Sequence, residues 1–449
     1  MKIAFILPAV GKKKNEKYLK SWLMEPLTIA VLNKLTPSKY QREFYDDRIE
    51  AINYDTDADI IAITVETFTA KRAYFVADRF RQRGKFIIMG GYHATLLPDE
   101  VKEHCDILVK GNSETIWSDI LQDIENGTIK ETYQGRFSVD YGLPDRSIYE
   151  DKMKKYLNIS LVEIGRGCHH SCEFCSINAY YKGCYIHRKI EDITAEIKQC
   201  RHKIFFLVDD SVFSDKMFAK ALFIELKKLN IIWTTQITLD FARDKELLQL
   251  MKESGCEMVL IGFESIDPNN LKQMNKEWAA KLGERDELVQ NVHNAGISIY
   301  ASFVFGFDYD NRDSFEKTLE FSGRHQFYVV AYNHLSVFPN TKTYERFAEE
   351  NRLLHLLHDK WWLSTGYAFG STSYKPKLIS NEELGKLCME FKHKYYAFNS
   401  IFKRGITLFK RTKNPLMNFF YWGQNILFHY EVDKRYGIPV GENLDEAIK

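Results

Sequence analysis

The sequence predicts an α/β protein in which a doubly wound, Rossmann-like sheet domain precedes a partial (β/α)6 barrel and a helical C-terminal region. Three observations support this prediction. Short strand-like segments alternate with amphipathic helical patterns over residues 1–125, and the alternation resumes near residue 159 with six further segments. Such alternation is typical of parallel sheets whose strands are connected by helices. From about residue 350 the pattern becomes helical.

Residues 1–125 are expected to form the first domain. Its five segments with strand character are 2–8, 42–46, 59–65, 86–91 and 106–112. A helix is predicted over about 68–83, after the third strand, and another begins near Glu114. In such a doubly wound sheet, ligands are expected at the carboxyl ends of the strands.

Residues 126–158 contain turn-forming residues without a clear period, so we expect them to be a linker. The barrel is expected over 159–345. Its six segments with strand character are 159–165, 203–209, 231–237, 258–264, 298–307 and 329–338. The site of a barrel built from such units lies at the carboxyl ends of its strands.

Residues 346–449 are expected to form a helical C-terminal domain. The segment 381–398 has the pattern of one helix, and 401–430 combines Lys and Arg with many aromatic residues. One interpretation of this second segment is a helical cap packed on the barrel. The other is a basic, aromatic surface that contacts a membrane or a lipid substrate.

Charge and hydropathy exclude several classes of protein. The formal net charge is +1, so no basic surplus favours nucleic acid as a partner. No stretch of about 18 apolar residues predicts a membrane span, and the basic residues follow the first apolar run, whereas a secretory signal has them before it. We therefore expect a cytoplasmic protein with a small-molecule substrate. Only the C-terminal region suggests an association with a membrane.

Three cysteines form a compact motif directly after the first barrel strand. Residues 164–177 read IGRGCHHSCEFCSI, which places Cys168, Cys172 and Cys175 in one short loop. Three thiolates can hold three irons of a [4Fe–4S] cluster, and the fourth iron then keeps an open position for a small molecule. The alternative is a zinc site completed by His169, His170 or Cys184.

The CxxxCxxC spacing, with Phe174 before the last cysteine, resembles the motif of the radical S-adenosylmethionine (SAM) superfamily. The resemblance covers about residues 159–340. It implies that the three cysteines bind a [4Fe–4S] cluster and that SAM chelates its open iron. An electron from a donor such as flavodoxin or ferredoxin then yields methionine and a 5′-deoxyadenosyl radical, which takes hydrogen from the substrate.

The same resemblance assigns further residues to SAM. Asp209 and Asp210 end the second barrel strand, and a helix N-cap is their alternative role. Gln236, flanked by Thr234 and Thr238, puts polar groups on alternate positions of the third strand. The full expected set is Phe174, Asp209, Asp210, Gln236, Glu264, Ser265, Gly306 and Arg188. Gly306 would meet the adenine through its backbone, and Arg188 would pair with the SAM carboxylate unless it is a plain surface arginine.

The first domain resembles the cobalamin-binding domain of cobalamin-dependent radical SAM enzymes. Methionine synthase-type domains carry Asp-x-His-x-x-Gly, but the segment after strand two here is Asp46-Asp47-Arg48-Ile49-Glu50. The resemblance therefore implies base-off, His-off cobalamin. The expected contacts are Trp22, Glu25, Pro26, Thr64, Glu66, Thr67, Gly90, Gly91, Tyr92, His93, Gly111, Asn112 and Ser113. The alternative is a degenerate domain that binds nothing.

Together these resemblances imply a methyltransferase that methylates an unactivated carbon. Relatives that include the hopanoid lipid methylases favour a hydrophobic, lipid-like or polycyclic substrate, or a secondary metabolite. One alternative keeps the radical but performs cyclisation, rearrangement or oxygenation without methyl transfer. Another is a cobalamin or redox sensor without turnover. A tRNA methylthiotransferase is disfavoured, because the chain lacks the second set of N-terminal cysteines and the RNA-binding tail expected there.

Overall fold

The computed structural model describes residues 1–211, 215–276, 285–354, 360–411 and 414–445. Its first sheet has six strands in the order β2-β1-β3-β4-β5-β6, and every neighbouring pair is parallel. The strands are β1 Lys2–Leu7, β2 Gln41–Asp46, β3 Ile60–Thr64, β4 Phe86–Gly90, β5 Ile107–Lys110 and β6 Thr132–Gln134.

Helices cover both faces of this sheet. They are α1 Leu27–Leu35, α2 Ala70–Arg81, α3 Tyr92–Leu96, α4 Pro98–Lys102 and α5 Trp117–Asn126. Ile61 and Ile63 of β3 pack in the hydrophobic cluster that contains α2, whereas Ile60 and Ala62 pack in the cluster that contains α1 and α5. Both faces of the central strand are therefore buried, as its continuous apolar run predicts.

The doubly wound sheet is confirmed, and it contains one strand that the sequence did not predict. β6 lies within the segment that we expected to be a linker, at residues 126–158, and pairs with β5 at the sheet edge. It has only three residues, two of them exposed and polar, which explains the missing hydrophobic signal. The same segment also contains the 3-10 helical turns Arg146–Lys155, which pack against α1 and β2. The sheet thus extends to Gln134.

The second sheet forms the expected open barrel. Its six parallel strands run in the order β14-β13-β12-β11-β10-β7, and a short antiparallel pair, β8 with β9, stands beside them. The strands are β7 Ser160–Glu163, β8 Gly165–Gly167, β9 Tyr185–His187, β10 Ile204–Val208, β11 Ile232–Ile237, β12 Cys256–Glu264, β13 Ser298–Phe305 and β14 Val329–His334. The helices are α6 Ser176–Tyr181, α7 Ile190–Gln199, α8 Lys216–Lys227, α9 Lys245–Glu253, α10 Pro268–Gln273, α11 Arg285–Asn294, α12 Arg312–His325 and α13 Lys342–Glu349.

The two faces of the barrel strands differ in exposure. In β11, Trp233 and Thr235 are buried on the side of the helices, whereas Thr234 and Gln236 remain partly exposed on the other side. β12 and β13 show the same alternation over most of their length. Since side chains alternate between the faces of a strand, the concave face of this barrel is an accessible surface.

The C-terminal region is helical, as expected. Its elements are β15 Ala368–Phe369, α14 Asn381–Tyr395, α15 Phe398–Arg411, α16 Pro415–Arg435 and β16 Ile438–Pro439. α14 packs on β14, at the open edge of the barrel. The last described residues return to the first domain, where Asp445 accepts from the buried guanidinium of Arg72 at 2.8 Å.

Arg404 anchors the three helices to the barrel. Its buried guanidinium donates to the carbonyl oxygens of Phe327, Tyr328 and Tyr395 and to the side-chain oxygen of Asn425, at 3.0–3.3 Å. It also lies 4.0 Å from the centre of the Tyr395 ring. One cation thus connects α14, α15, α16 and the start of β14.

Replacing Arg404 is expected to loosen this connection. Arg404→Met leaves buried oxygens without a donor, at about 1–3 kcal/mol each. Amide hydrogen exchange measured by mass spectrometry should become faster throughout α15 and α16, while β1–β5 keep their protection. The matched control is Lys403→Met, since Lys403 is an exposed neighbour on the same helix. Equal exchange in the two variants would contradict the anchoring role.

Candidate active site

The carboxyl ends of the two sheets meet at one cavity of about 290 Å³. The first sheet contributes the ends of β3, β4 and β5, with parts of α1 and α5. The second contributes the ends of β7 and β10, with β8 and α6. Together, the residues that line the cavity include Ile29, Leu32, Trp117, Glu114, Glu163, Arg166, Tyr180, Tyr181, Val208 and Asp210. The cavity is therefore shared by both domains.

Eight of the predicted cobalamin contacts line this cavity. They are Thr64, Glu66, Gly90, Gly91, Tyr92, Gly111, Asn112 and Ser113. Two of these positions require glycine, because their φ angles are +118° and +71°. A Cβ atom at Gly91 would lie 2.7 Å from the Val65 oxygen, and one at Gly111 would lie 2.5 Å from the Gly135 oxygen.

The other five predicted cobalamin contacts are not among the cavity-lining residues. His93 is buried, with Nδ1 3.2 Å from Thr67 Oγ1 and Nε2 3.0 Å from the Glu100 carboxylate. Glu100 also accepts from Trp362, so His93 and Thr67 belong to the packing between the first domain and the C-terminal region. Their position after a strand predicted that they would line the cavity, but their side chains point into the core.

Trp22, Glu25 and Pro26 also require correction. The Trp22 ring packs against Phe369, and Pro26 is buried at the start of α1. Glu25 is buried between the domains, where it accepts from the backbone N–H of Leu161 at 2.8 Å. Burial raises the pKa of Glu25. Glu25 thus connects the first domain to the start of the second sheet, and none of the three residues lines the cavity.

An ion cluster that sequence reasoning missed crosses the cavity. The guanidinium of Arg166 lies 2.6 Å from the carboxylate of Glu163, on β7, and 2.6 Å from that of Glu114, before α5. The nearby carboxylates raise the pKa of Arg166 above its usual value, so the guanidinium stays charged. Arg166 stands two residues before the first cysteine, and this proximity was the available signal.

Three tyrosines beside this cluster form an aromatic wall. The ring of Tyr92 lies 4.5 Å from that of Tyr180 and 6.1 Å from that of Tyr181, which also contacts Phe137. Tyr92 comes from the first sheet, and the other two tyrosines come from α6. Aromatic pairs at these distances are favourable, so the wall connects the domains.

The three cysteines lie in the loop between β8 and α6, and all are partly exposed. The backbone N–H of His170 donates to Cys168 Sγ at 3.4 Å, and Asn178 donates to the His170 carbonyl at 2.7 Å. Burial raises the pKa of Cys172 to about 12. A metal must therefore displace protons when it binds these thiols.

The neighbours of the cysteines have other roles. The ring of Phe174 lies 5.9 Å from that of Phe307, after β13. His169 Nδ1 lies 3.0 Å from the Gly183 carbonyl, and Cys184 is exposed. Among the described residues, no three His, Cys, Asp or Glu side chains form a group that could hold a single metal ion.

Asp209 and Asp210 have different surroundings. Asp209 is buried and accepts from the Tyr185 hydroxyl at 3.0 Å and from the Ser211 N–H at 2.6 Å. Asp210 lines the cavity and accepts from the Gly167 N–H at 2.8 Å, beside Cys168. Burial raises the pKa of Asp210 to about 6. Neither caps α8, the next helix in the described residues, whose N-cap is Asp215.

Glu264 ends β12 in a strained conformation. Its φ is +60°, which is costly for a residue other than glycine and is typical of functional sites. Its carboxylate lies 3.1 Å from Lys276 Nζ, which donates to the Gly262 carbonyl at 2.8 Å. Gln236 lies on the same concave face. Both remain compatible with the predicted contact to SAM.

Ser265 and Gly306 are already hydrogen-bonded within the chain. Ser265 Oγ accepts from the Asp267 N–H at 3.1 Å. The Gly306 N–H donates to Asp310 at 2.8 Å, so it is not available for the predicted backbone contact to adenine. Gly306 has a φ of +106°, and a Cβ atom there would overlap the Tyr374 hydroxyl. These groups shape the ends of β12 and β13.

Arg188 fits neither of its two expected roles, a partner of the SAM carboxylate or a surface arginine. It is buried, so it is no surface arginine, and it donates to Glu196 at 2.5 Å and to the Glu163 carbonyl at 2.9 Å. Its guanidinium also lies 4.5 Å from the Tyr141 ring. Because these partners already occupy the guanidinium of Arg188, the structure argues against its pairing with the SAM carboxylate.

Comparison with known proteins gives a family for the barrel. Residues 162–322 match the model of the radical SAM superfamily. The chain is 29% identical to the bacteriochlorophyllide d C-12(1)-methyltransferase of Chlorobaculum tepidum, over 84% of each chain. It is 25% identical to the hopanoid C-2 methylase of Rhodopseudomonas palustris, over 74% of this chain and 66% of that one.

A solved structure resembles almost the whole fold. It is that of the cobalamin-dependent SAM radical enzyme OxsB with aqua-cobalamin and SAM bound. The TM-score is 0.64 with 14% identity, and the match covers 96% of this chain and 72% of that one. The likeness extends beyond the barrel to the first sheet and shows a common fold.

The donor set agrees with the family. Three thiols from one loop are the ligands that a [4Fe–4S] cluster with one open iron requires, and all three lie inside the matched residues. Residues 162–322 are therefore a radical SAM domain, and the protein is an enzyme that uses a [4Fe–4S] cluster and SAM.

Proposed function

We propose that this enzyme is a cobalamin-dependent radical SAM methyltransferase that methylates a carbon of a hydrophobic substrate. One observation carries the proposal: the cavity between the two sheets. It is bordered by the cysteine loop, since Asp210 lines it and accepts from Gly167, next to Cys168. A cofactor in the first domain would thus adjoin the radical source in the second.

The residues that line the cavity suit a corrin. Ile29, Leu32 and Trp117 make one wall of the cavity apolar, between α1, α5 and the sheet. The flat base of the cobalamin nucleotide would be buried there. Thr64 and Ser113 offer hydroxyl groups, and the glycines let a large ring approach the backbone. No histidine is among the residues that line the described cavity, in keeping with base-off, His-off binding.

The cofactors supply the reactive groups: the cluster with SAM provides a radical, and the corrin provides a methyl group. The chain's own residues position and enclose them. Cys168, Cys172 and Cys175 would hold the cluster, and Glu264 and Gln236 would contact SAM. Tyr92 and the α6 tyrosines would exclude water from the space between the cofactors, which protects a radical from side reactions.

The concave face of the barrel supports a hydrophobic substrate. Met258 and Leu260 of β12 and Val304 of β13 are partly exposed on that face, beside Tyr300. Accessible apolar side chains inside a barrel favour an apolar ligand. The similarity to a bacteriochlorophyllide methyltransferase and to a hopanoid methylase supports the same conclusion.

Two partners complete the proposal. An electron donor such as flavodoxin or ferredoxin would reduce the cluster in the cytoplasm. A peripheral contact with a membrane would bring the enzyme to an apolar substrate. None of the described helices combines the length and apolar composition that a bilayer span requires.

The proposal predicts two products from SAM. The full chain, reconstituted anaerobically with iron, sulfide and cobalamin, should yield 5′-deoxyadenosine and S-adenosylhomocysteine with a hydrophobic substrate such as a bacteriochlorophyllide or a hopanoid. Label from methyl-labelled SAM should enter the product. Cys172→Ser should abolish both SAM products because it removes a cluster ligand. Cys184→Ser, at an exposed nearby thiol, is the matched control and should retain them.

Other outcomes would distinguish the alternatives. Formation of 5′-deoxyadenosine with no label transfer would replace methylation by cyclisation, rearrangement or oxygenation. Cobalamin binding with no SAM cleavage would instead indicate a sensor.

Cobalamin affinity is expected to depend on Glu66. Its carboxylate is accessible through the cavity but surrounded by protein, and burial raises its pKa to about 7. A corrin in the cavity would desolvate Glu66 further and raise this pKa more. Binding should therefore take up a proton, and affinity should fall as the pH rises above 7, by no more than about tenfold per pH unit.

Spectroscopic titration with hydroxocobalamin at pH 6 and pH 8 measures this effect. Glu66→Gln cannot titrate, so its affinity should be nearly equal at the two values. Asp99→Asn, at an exposed carboxylate on α4, should keep the dependence of the parent chain. The same dependence in Glu66→Gln would show that another group causes it.

A further inference from the structure

The outward face of α15 and α16 is unusually apolar for a protein surface. Eleven of the 18 large hydrophobic side chains that are exposed in the described part of the chain lie between residues 398 and 436. Phe409 and Phe419 are each 73% exposed, and Phe402 is 59% exposed. Side chains of this size rarely cluster on a surface that contacts only water.

The spacing of these residues places them in one stripe on each helix. On α15 the stripe consists of Phe398, Phe402, Ile406 and Phe409, at intervals of four, four and three residues. The buried residues Ile401, Arg404 and Leu408 lie on the opposite side. Intervals of three and four residues follow one face of a helix, so α15 is amphipathic with an apolar face to solvent.

The two stripes form one surface, which we call the aromatic face. The stripe of α16 consists of Leu416, Phe419, Phe420, Ile426 and Tyr430. The helices approach closely at Gly405, where a Cβ atom would lie 2.6 Å from the Trp422 ring. The Phe402 and Trp422 rings are 6.2 Å apart across this contact. The aromatic face is therefore continuous and is held by Arg404 from behind.

The segment that carries most of the aromatic face is basic. Residues 391–430 contain seven Lys and Arg residues and no Asp or Glu, although the whole chain carries a net charge of only +1. Lys403 and Lys410 are exposed and stand one residue after Phe402 and Phe409, which places them beside the stripe. An apolar stripe bordered by lysines is typical of helices that lie in the interface of an anionic bilayer.

We infer that the aromatic face docks the enzyme on the surface of a membrane that contains anionic lipids. The aromatic rings would enter the boundary between head groups and acyl chains, and the lysines would contact lipid phosphates. A second copy of the chain fits less well, because two such faces would bring like charges together. This inference is independent of the proposed methylation.

Vesicle binding tests the inference on the full, cluster-reconstituted chain. Sedimentation should recover the protein with vesicles of phosphatidylcholine that contain roughly 30% phosphatidylglycerol, an anionic lipid. Pure phosphatidylcholine should bind at least about tenfold less, and high salt should weaken binding to the anionic vesicles. The double variant F409S/F419S, which removes two exposed rings, should lose binding by about tenfold or more.

Matched variants separate the contributions. K403E/K410E should lose the preference for anionic vesicles. Met217→Ser, which alters an exposed apolar residue on α8, should bind as the parent chain does. Iron content and circular dichroism should be unchanged in all variants, since every replaced side chain is exposed.

Two results would overturn the inference. One is equal vesicle binding by F409S/F419S and the parent chain. The other is a dimer of the parent chain in light scattering that F409S/F419S abolishes, with no vesicle binding by either, which would make the aromatic face an interface between two copies.

Discussion

The direction of the strands governs the arrangement of this molecule. All neighbouring strands in both six-stranded sheets are parallel, so each sheet collects the loops that follow its strands at one edge. These two edges face the same cavity. Loops from separate halves of the chain can therefore line one space. Neither sheet could form this cavity alone, because its lining residues come from both.

Partly buried arginines maintain the relation between the sheets. Arg166 joins a carboxylate of the first domain to one of the second, and Arg146 connects Glu25 with Glu196. Such pairs add little net stability, since desolvation offsets their attraction, but removing one partner costs about 3–5 kcal/mol. Their geometry is also directional, because a guanidinium has fixed donor positions. They therefore fix the spacing of the two edges more than they strengthen the fold.

The sequence predicted the framework of the fold well because hydrophobic alternation is a local signal. Eleven strands of the two sheets were expected near their observed positions, and only β6 was missed, as a short polar edge strand. Site residues were predicted unevenly. Glycines and hydroxyl residues after β3, β4 and β5 line the cavity because their place in the chain determines their place in the sheet.

The failures share a physical reason. His93 follows Tyr92 directly, yet the helical turn that begins there sends one side chain into the cavity and the other onto Glu100. Arg188 and Gly306 likewise depend on distant partners, Glu196 and Asp310, which no local pattern reveals. Position after a strand thus predicts the neighbourhood of a residue, and tertiary contacts decide where its side chain points.

The aromatic face occupies a different part of the molecule from the cavity between the sheets. α16 begins near the amino end of β14, where the Tyr328 hydroxyl donates to the Met417 carbonyl at 3.1 Å. Its 21 residues extend about 30 Å at 1.5 Å per residue and end where Arg435 donates to Ser21, in the first domain. Catalytic loops of such barrels lie at the carboxyl ends of the strands, so a bilayer contact that starts at the amino end does not compete with them. Because α16 touches both domains, membrane contact along it would hold the sheets in their mutual orientation, and the cavity between them would keep its shape.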